Sequence, residues 1–81
     1  MYDLVSFVSR GKVRKKIMNA LTKPMTPTEL SKRIKTHRST TSRALLALEK
    51  KELVKCITPH ENMGRYYEIS ELGKKINKIL S

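Results

Sequence analysis

One start signal near the middle of the chain constrains its fold more than any other feature. In this signal Thr26 can cap a helix, Pro27 suits the first helical position, and Glu29 can complete a capping box. Leu30 and Ile34 then give the helix one apolar face. A helix this short depends on a packing partner for its stability.

That partner is a second amphipathic segment, which follows after a tight turn over Lys35 to Arg38. We predict a helix from about Arg38 to about Lys51, capped by either Thr36 or His37. Its inner face is marked by Thr41, Ala44, Leu45 and Leu48, whereas its outer face carries Arg38, Ser39, Ser42, Arg43 and Leu46. Two short helices joined by a turn predict a helix-turn-helix unit.

The residues before this unit predict one further helix and a minimal strand. Val13, Ile17, Ala20 and Leu21 recur at helical spacing within a segment that runs from roughly Arg10 to Thr22. An apolar cluster at Leu4 to Val8 is either a separate turn of helix or its continuation, because Gly11 is unfavourable inside a helix. Met25 can form a minimal strand after Pro24.

The residues after the unit predict a β-hairpin and a closing helix. Strands are expected over Glu52 to Thr58 and Arg65 to Ile69, joined by a loop over Pro59 to Gly64. In the second strand Tyr67 should face the core together with Ile69. Ser70 begins a last helix whose apolar residues are Leu72, Ile76, Ile79 and Leu80.

This order of elements predicts an α+β, mainly helical fold: a winged helix-turn-helix with a C-terminal helix after the wing. The wing is the hairpin at about residues 53–69, and the recognition helix spans about residues 38–51. A chain of 81 residues has room for one core, so we expect residues 1–81 to form a single winged helix domain.

The charge of the chain predicts an anionic partner. There are 18 Lys and Arg against 7 Asp and Glu, which gives a formal net charge of +11. The first 43 residues carry 11 basic and 2 acidic side chains, so most of the positive charge falls on the helix-turn-helix half.

Several classes of function are disfavoured by what the sequence lacks. It has no Gly-rich phosphate loop, catalytic triad or paired carboxylates, so we expect no enzyme and no cofactor. Cys56 is the one cysteine, and Cys56 with His60 supplies too few ligands for a metal site. The single thiol favours a reducing cytoplasm, and no apolar run of about 20 residues is present, so no membrane partner is expected.

Three stretches resemble a known group of proteins. They are T-P-T-E-L-S-K-R-I, then S-T-T-S-R-A-L-L-A-L-E-K-K-E-L-V, and G-R-Y-Y-E-I-S-E-L-G-K. They resemble the small archaeal winged helix transcription regulators related to the MarR and ArsR families. The resemblance implies that Ser39, Thr40, Ser42 and Arg43 read DNA. Two positions depart from the pattern: Glu52 stands where relatives often have Gly, and Leu46 replaces a polar outward residue.

The candidate contacts to double-stranded DNA fall into three groups. Arg38 and Arg43 can each bind guanine O6 and N7, and with Ser39, Thr40 and Ser42 they form the base-reading group. The backbone group is expected to be Lys12, Thr26, Thr28 and Lys35, although capping alone explains Thr26. The wing group is His60, Asn62, Arg65 and Tyr66.

We therefore expect a sequence-specific DNA-binding transcription regulator, acting as a repressor. A homodimer is expected because the apolar residues of the terminal segments exceed what one core needs; they are Leu4, Phe7, Val8, Ile76, Ile79 and Leu80. No small-molecule effector is evident. The alternative is a winged helix that binds proteins within a larger transcription or replication assembly, which exposed Leu46 would favour. Binding to structured RNA is a third interpretation, but the sequence lacks an aromatic platform for it.

Overall fold

The chain folds as a winged helix-turn-helix, as predicted, with five helices and one two-stranded antiparallel sheet among the residues described. The structure is a computed structural model that describes residues 2–58 and 64–80. The elements are α1 (Tyr2–Arg10), α2 (Lys12–Ala20), α3 (Pro27–Arg33), α4 (Arg38–Lys50), β1 (Val54–Cys56), β2 (Tyr67–Ile69) and α5 (Glu71–Leu80).

The break between α1 and α2 resolves one alternative that the sequence left open. Gly11 has an extended backbone with φ −101° and ψ 110°, so Leu4 to Val8 belongs to a separate helix. A Cβ atom at Gly11 would collide with the Arg14 guanidinium. That guanidinium lies 4.0 Å from the Phe7 ring centroid, and its Nε donates a 2.7 Å hydrogen bond to the Phe7 carbonyl. Arg14 thus satisfies a carbonyl that the end of α1 leaves free.

The predicted bounds of the helix from Arg10 to Thr22 are wrong by two residues at each end. It begins at Lys12 because of the break at Gly11, and it ends at Ala20 because Leu21 leaves the helical region, with φ −81° and ψ 67°.

The capping box that starts α3 is confirmed. The Glu29 N–H donates to Thr26 Oγ1 at 3.2 Å, and the Thr26 N–H donates to Glu29 Oε1 at 3.0 Å. Hydrogen bonds from the backbone and then the hydroxyl of Thr26 hold the pKa of Glu29 below its ordinary value. A lowered carboxyl pKa means that this stabilisation is present at neutral pH and is lost as the pH falls through the lowered value.

The start of α4 resolves the second open alternative. The N-cap residue is His37, although its side chain makes no capping hydrogen bond. The Thr36 hydroxyl instead donates to the Ile34 carbonyl at 3.2 Å. The buried Thr41 hydroxyl donates to the His37 carbonyl at 2.9 Å, which ties the first turn of α4 to its cap.

Two non-glycine residues in the left-handed region end α3 and α4. Lys35 has φ 55° after α3, and Glu52 has φ 62° after α4. After α4, the N–H of Glu52 donates to the Glu49 carbonyl and the N–H of Leu53 to the Leu48 carbonyl, each at 2.9 Å. This pair of bonds is the Schellman arrangement, which usually has Gly at the left-handed position. The departure at Glu52 is therefore accommodated by backbone strain.

We expect Glu52→Gly to stabilise the fold. The left-handed conformation costs a residue with a Cβ atom about 1–2 kcal/mol, and the greater freedom of Gly in the unfolded chain offsets about half of the gain. The free energy of unfolding should rise by roughly 0.5–1 kcal/mol in urea titrations. Glu52→Ala is the matched control, because it removes the same carboxylate and keeps the strain. Equal stability of the Gly and Ala variants would contradict this account.

The sheet is shorter than predicted but has the expected faces. The register pairs Val54 with Ile69 and Cys56 with Tyr67. The strand predicted from Glu52 begins later because Glu52 ends the preceding helix, and the strand predicted from Arg65 begins at Tyr67. Tyr67 is buried and Ile69 packs against the core, as predicted.

Met25 forms the minimal strand that the sequence predicted. It pairs with Tyr67 through two backbone hydrogen bonds of 2.9 and 3.0 Å. This bridge fixes the start of α3 beside the base of the hairpin.

The N-cap predicted for the last helix is also confirmed. Ser70 Oγ accepts a hydrogen bond from the Gly73 N–H at 3.0 Å and donates one to the Glu52 carbonyl at 2.6 Å. The start of α5 is thereby joined to the end of α4.

The hydrophobic core uses most of the apolar surface that motivated the expected dimer. Val8 and Ile76 are fully buried within one chain, and Leu4, Phe7 and Leu80 pack against the same core. Of the apolar residues that motivated the dimer, all of which lie in the described part of the chain, Ile79 alone is exposed. The excess of apolar surface in a single chain is therefore smaller than the sequence suggested. In the part of the chain that the structure describes, no helix has both the length and the apolar character needed to cross a membrane.

Candidate nucleic-acid interface

An open cleft brings together predicted site residues from three separate segments. It lies between the start of α3, the first half of α4 and the residues just before β2. Its described lining consists of Thr26, Pro27, Thr28, Arg38, Ser42, Gly64 and Arg65. None of these is a carboxylate, thiol or imidazole, so the cleft suits contact with an anion better than acid–base chemistry.

The outer face of α4 continues this surface along the helix. Thr41, Leu45 and Leu48 are buried and define the inner face. At about 100° per residue, the opposite line of the helix is formed by residues 39, 43, 46 and 50. Ser39 and Arg43 are accordingly exposed, as predicted for base-reading residues.

Thr40 occupies a different position from the rest of the base-reading group. It is half-buried, and the helical repeat puts it on the opposite flank of α4 from Ser42, which lines the cleft. The structure therefore places Arg38 and Ser42 in the cleft and Ser39 and Arg43 on the outer line, whereas Thr40 belongs to neither.

The hydroxyls at the start of α3 differ in how far they are engaged. Thr26 Oγ1 accepts from the Glu29 N–H and donates to Glu29 Oε1 at 3.1 Å, so its hydrogen-bonding capacity is largely used by the cap. Thr28 is exposed on the wall of the cleft. Of the two, Thr28 is the one that can meet a ligand without disturbing the helix.

Lys35 and Lys12 lie outside the cleft. Lys35 sits in the turn between α3 and α4, on a neighbouring shallow surface with Lys32 and His37. Lys12 begins α2, and two residues later in that helix Arg14 covers the Phe7 ring, which the Lys51 ammonium approaches to 5.6 Å. Because Lys51 follows the end of α4, this cluster lies about 20 Å along the helix axis from Arg38.

The base of the wing is held by a buried tyrosine that the sequence analysis did not assign to the site. Burial raises the pKa of the Tyr67 phenol, and the nearby Glu49 carboxylate raises it further. A hydrogen bond between Tyr67 and Arg65 acts in the opposite direction. Arg65 is therefore hydrogen-bonded to the buried Tyr67 and is itself exposed at the cleft. The shared strand face of residues 65 and 67 was the sequence signal that could have revealed this pairing.

The remaining wing residues are only partly described. Tyr66 is exposed, with 39% of its surface accessible, and its N–H donates to Thr58 Oγ1 at 2.8 Å. The predictions for His60 and Asn62 fall on residues outside the described ones. Cys56 is half-buried in β1, and the described residues contain no group of three or more potential metal ligands.

Among the described residues, no carboxylate forms an ion pair with the cations of α4. Within residues 2–58 and 64–80 there are two ion pairs, Lys55 with Glu68 and Lys74 with Glu71. Neither involves α4. Arg38 and Arg43 thus offer their positive charge at the surface, where an external anion can approach.

Comparison with known proteins agrees with this geometry. No curated protein matches the chain. The crystal structure of a MarR family transcription regulator superposes on 93% of this chain with a TM-score of 0.75. The two sequences are 20% identical, so this match shows the fold alone, and the chain spans 56% of the length of that protein. The sequence model of the MarR family matches residues 22–63, which include the capping box, α3, α4 and β1. Because the match covers just over half of the chain, the protein belongs to the MarR family.

Proposed function

We propose that the chain is a sequence-specific double-stranded DNA-binding protein that regulates transcription and has no catalytic activity. The observation that carries this proposal is the convergence of Arg38 and Ser42 of α4 with Thr28 and Arg65 on one cleft, beside the outward-facing Arg43. A recognition helix of this kind enters the major groove with its N-terminal residues against the base edges. The crystallised protein of similar fold is itself described as a transcription regulator.

In this proposal the predicted residues divide by where they lie. Base reading falls to Arg38, Ser39, Ser42 and Arg43, with Thr40 at the margin of the contact. Backbone contacts come from Thr28 and Lys35, with smaller contributions from Thr26 and Lys12. At the wing, Arg65 reaches the adjacent minor groove, and His60, Asn62 and Tyr66 contact the DNA backbone beside it.

We further propose that residues 1–81 form one domain. The protein is proposed to act as a repressor and as a homodimer. A domain with this surface can act directly by occupying DNA. While bound, it excludes competing proteins from the same site, which is repression. A two-fold dimer would bind two half-sites about 10 bp, or a multiple of that, from centre to centre. Exposed Ile79 on α5 supports a contact between copies, since half of its surface is accessible.

Selection from a pool of random duplexes tests the proposal most directly. The full chain should enrich a short palindromic sequence, and light scattering of the free protein should give the mass of a dimer. Binding to a duplex RNA of the same sequence serves as the control and should be weaker. A pool that shows no enrichment after repeated rounds would favour the protein-interaction alternative.

A further inference from the structure

An apolar side chain lies in the middle of the cationic outer line of α4. Leu46 has 54% of its surface exposed, although it belongs to a helix whose other large apolar residues are buried. On the same line Arg43 precedes it by three residues and Lys50 follows it by four. Residues at these spacings are neighbours on a helix surface, so Leu46 is flanked by positive charge on both sides.

This setting fits a protein partner poorly. A single exposed apolar side chain is not an apolar patch, and Lys, which flanks Leu46 at position 50, is depleted in protein interfaces. Burial of Leu46 against a protein would also bury Arg43 and Lys50 or leave them at its edge. Ile79 of α5 is as exposed as Leu46, at 52%, but does not lie on α4.

The setting fits the floor of the major groove well. The flanking cations attract the outer line of α4 to phosphates and guanine edges. Leu46, between them, can neither donate nor accept a hydrogen bond. The one apolar group that base pairs present in the major groove is the 5-methyl group of thymine. We infer that Leu46 determines sequence preference by packing against a thymine methyl group. This inference rests on the function proposed above and adds to it a residue and the chemical group that the residue recognises.

The effect should be modest and chemically specific. Loss of one buried methyl group corresponds to about a fourfold change in affinity. Deoxyuridine pairs as thymine does but lacks this methyl group, so it removes the contact and leaves every hydrogen bond of the base pair in place.

The test uses the duplex enriched by the full chain, with each thymine replaced in turn by deoxyuridine. For the wild type we expect about a fourfold loss of affinity at one thymine in each half-site. Leu46→Ala should bind the unmodified duplex about fourfold more weakly and show no further loss at that position. Leu46→Met, which keeps an apolar side chain, should retain the sensitivity.

Two matched variants separate this contact from general effects. Lys50→Ala, on the same line, should lose affinity for the thymine and deoxyuridine duplexes by the same factor relative to the wild type. Ile79→Ala removes an equally exposed apolar side chain from α5 but leaves Leu46 in place, so at protein concentrations where it is dimeric its ratio of affinities for the thymine and deoxyuridine duplexes should equal that of the wild type. The inference is overturned if no thymine is sensitive in the wild type, or if Leu46→Ala keeps the sensitivity. Failure to enrich any duplex overturns both the proposed function and the inference, whereas enrichment without a methyl effect overturns the inference alone.

Discussion

Arg43→Ala should weaken binding to the preferred duplex by about 1–3 kcal/mol and binding to random-sequence DNA by much less. The physical reason is that Arg43 lies on the outer line of α4, fully outside the core, where its guanidinium can make two hydrogen bonds to one guanine. Loss of these two hydrogen bonds removes the sequence preference at a single base pair and leaves the general attraction to phosphates. Affinities for both DNAs at several salt concentrations are needed to separate the two effects.

Lys12→Ala is the control for backbone attraction. Lys12 is exposed at the start of α2 and does not line the cleft, so we expect it to contact no base edge. Because Lys12 is proposed to contact a phosphate, its loss should weaken binding to both DNAs equally and lower the salt slope by about 0.9. Equal weakening of specific and random DNA by Arg43→Ala would instead move base reading to Arg38 or to the wing.

Gly73→Ala should destabilise the fold by roughly 1–3 kcal/mol, although alanine is the better helix former by about 1 kcal/mol. Gly73 is buried where α5 packs against Leu53, between α4 and β1, and a Cβ atom there would collide with the Leu53 carbonyl oxygen and the Ile69 side chain. The Leu53 carbonyl is backbone and also accepts the Ser70 N–H at 3.0 Å, so it cannot move aside cheaply.

Thermal and urea unfolding measure this effect. Each kcal/mol should lower Tm by about 4–8 °C in a domain of this size. Lys75→Ala is the control, because it places alanine on the exposed face of the same helix and should change stability by less than about 0.5 kcal/mol. A Gly73→Ala protein at least as stable as the wild type would show that α5 does not pack as closely on Leu53 as described.

The sequence by itself determined the elements whose signals are local. The capping box at Thr26 and Glu29, the start of α4 at Arg38 and the cap at Ser70 each depend on residues within one helical turn, and all three are confirmed. The inward position of Tyr67 followed from the two-residue repeat of a strand, which is also local. The order of these elements was enough to predict the winged helix.

The tertiary structure alone decided what depends on contacts between distant residues. Arg65 meets Thr28 and Arg38 in one cleft because the Met25 bridge fixes α3 beside the hairpin, a contact 42 positions apart in the chain. Lys12 does not line that cleft: Arg14, in the same turn of α2, packs on the Phe7 ring beside Lys51, at the other end of α4. The close approach at Gly73 has the same origin, since it arises where α5 packs against the Leu53 backbone. Periodicity reports which face of an element is apolar, but not which element covers that face, and the site is formed by the covering elements.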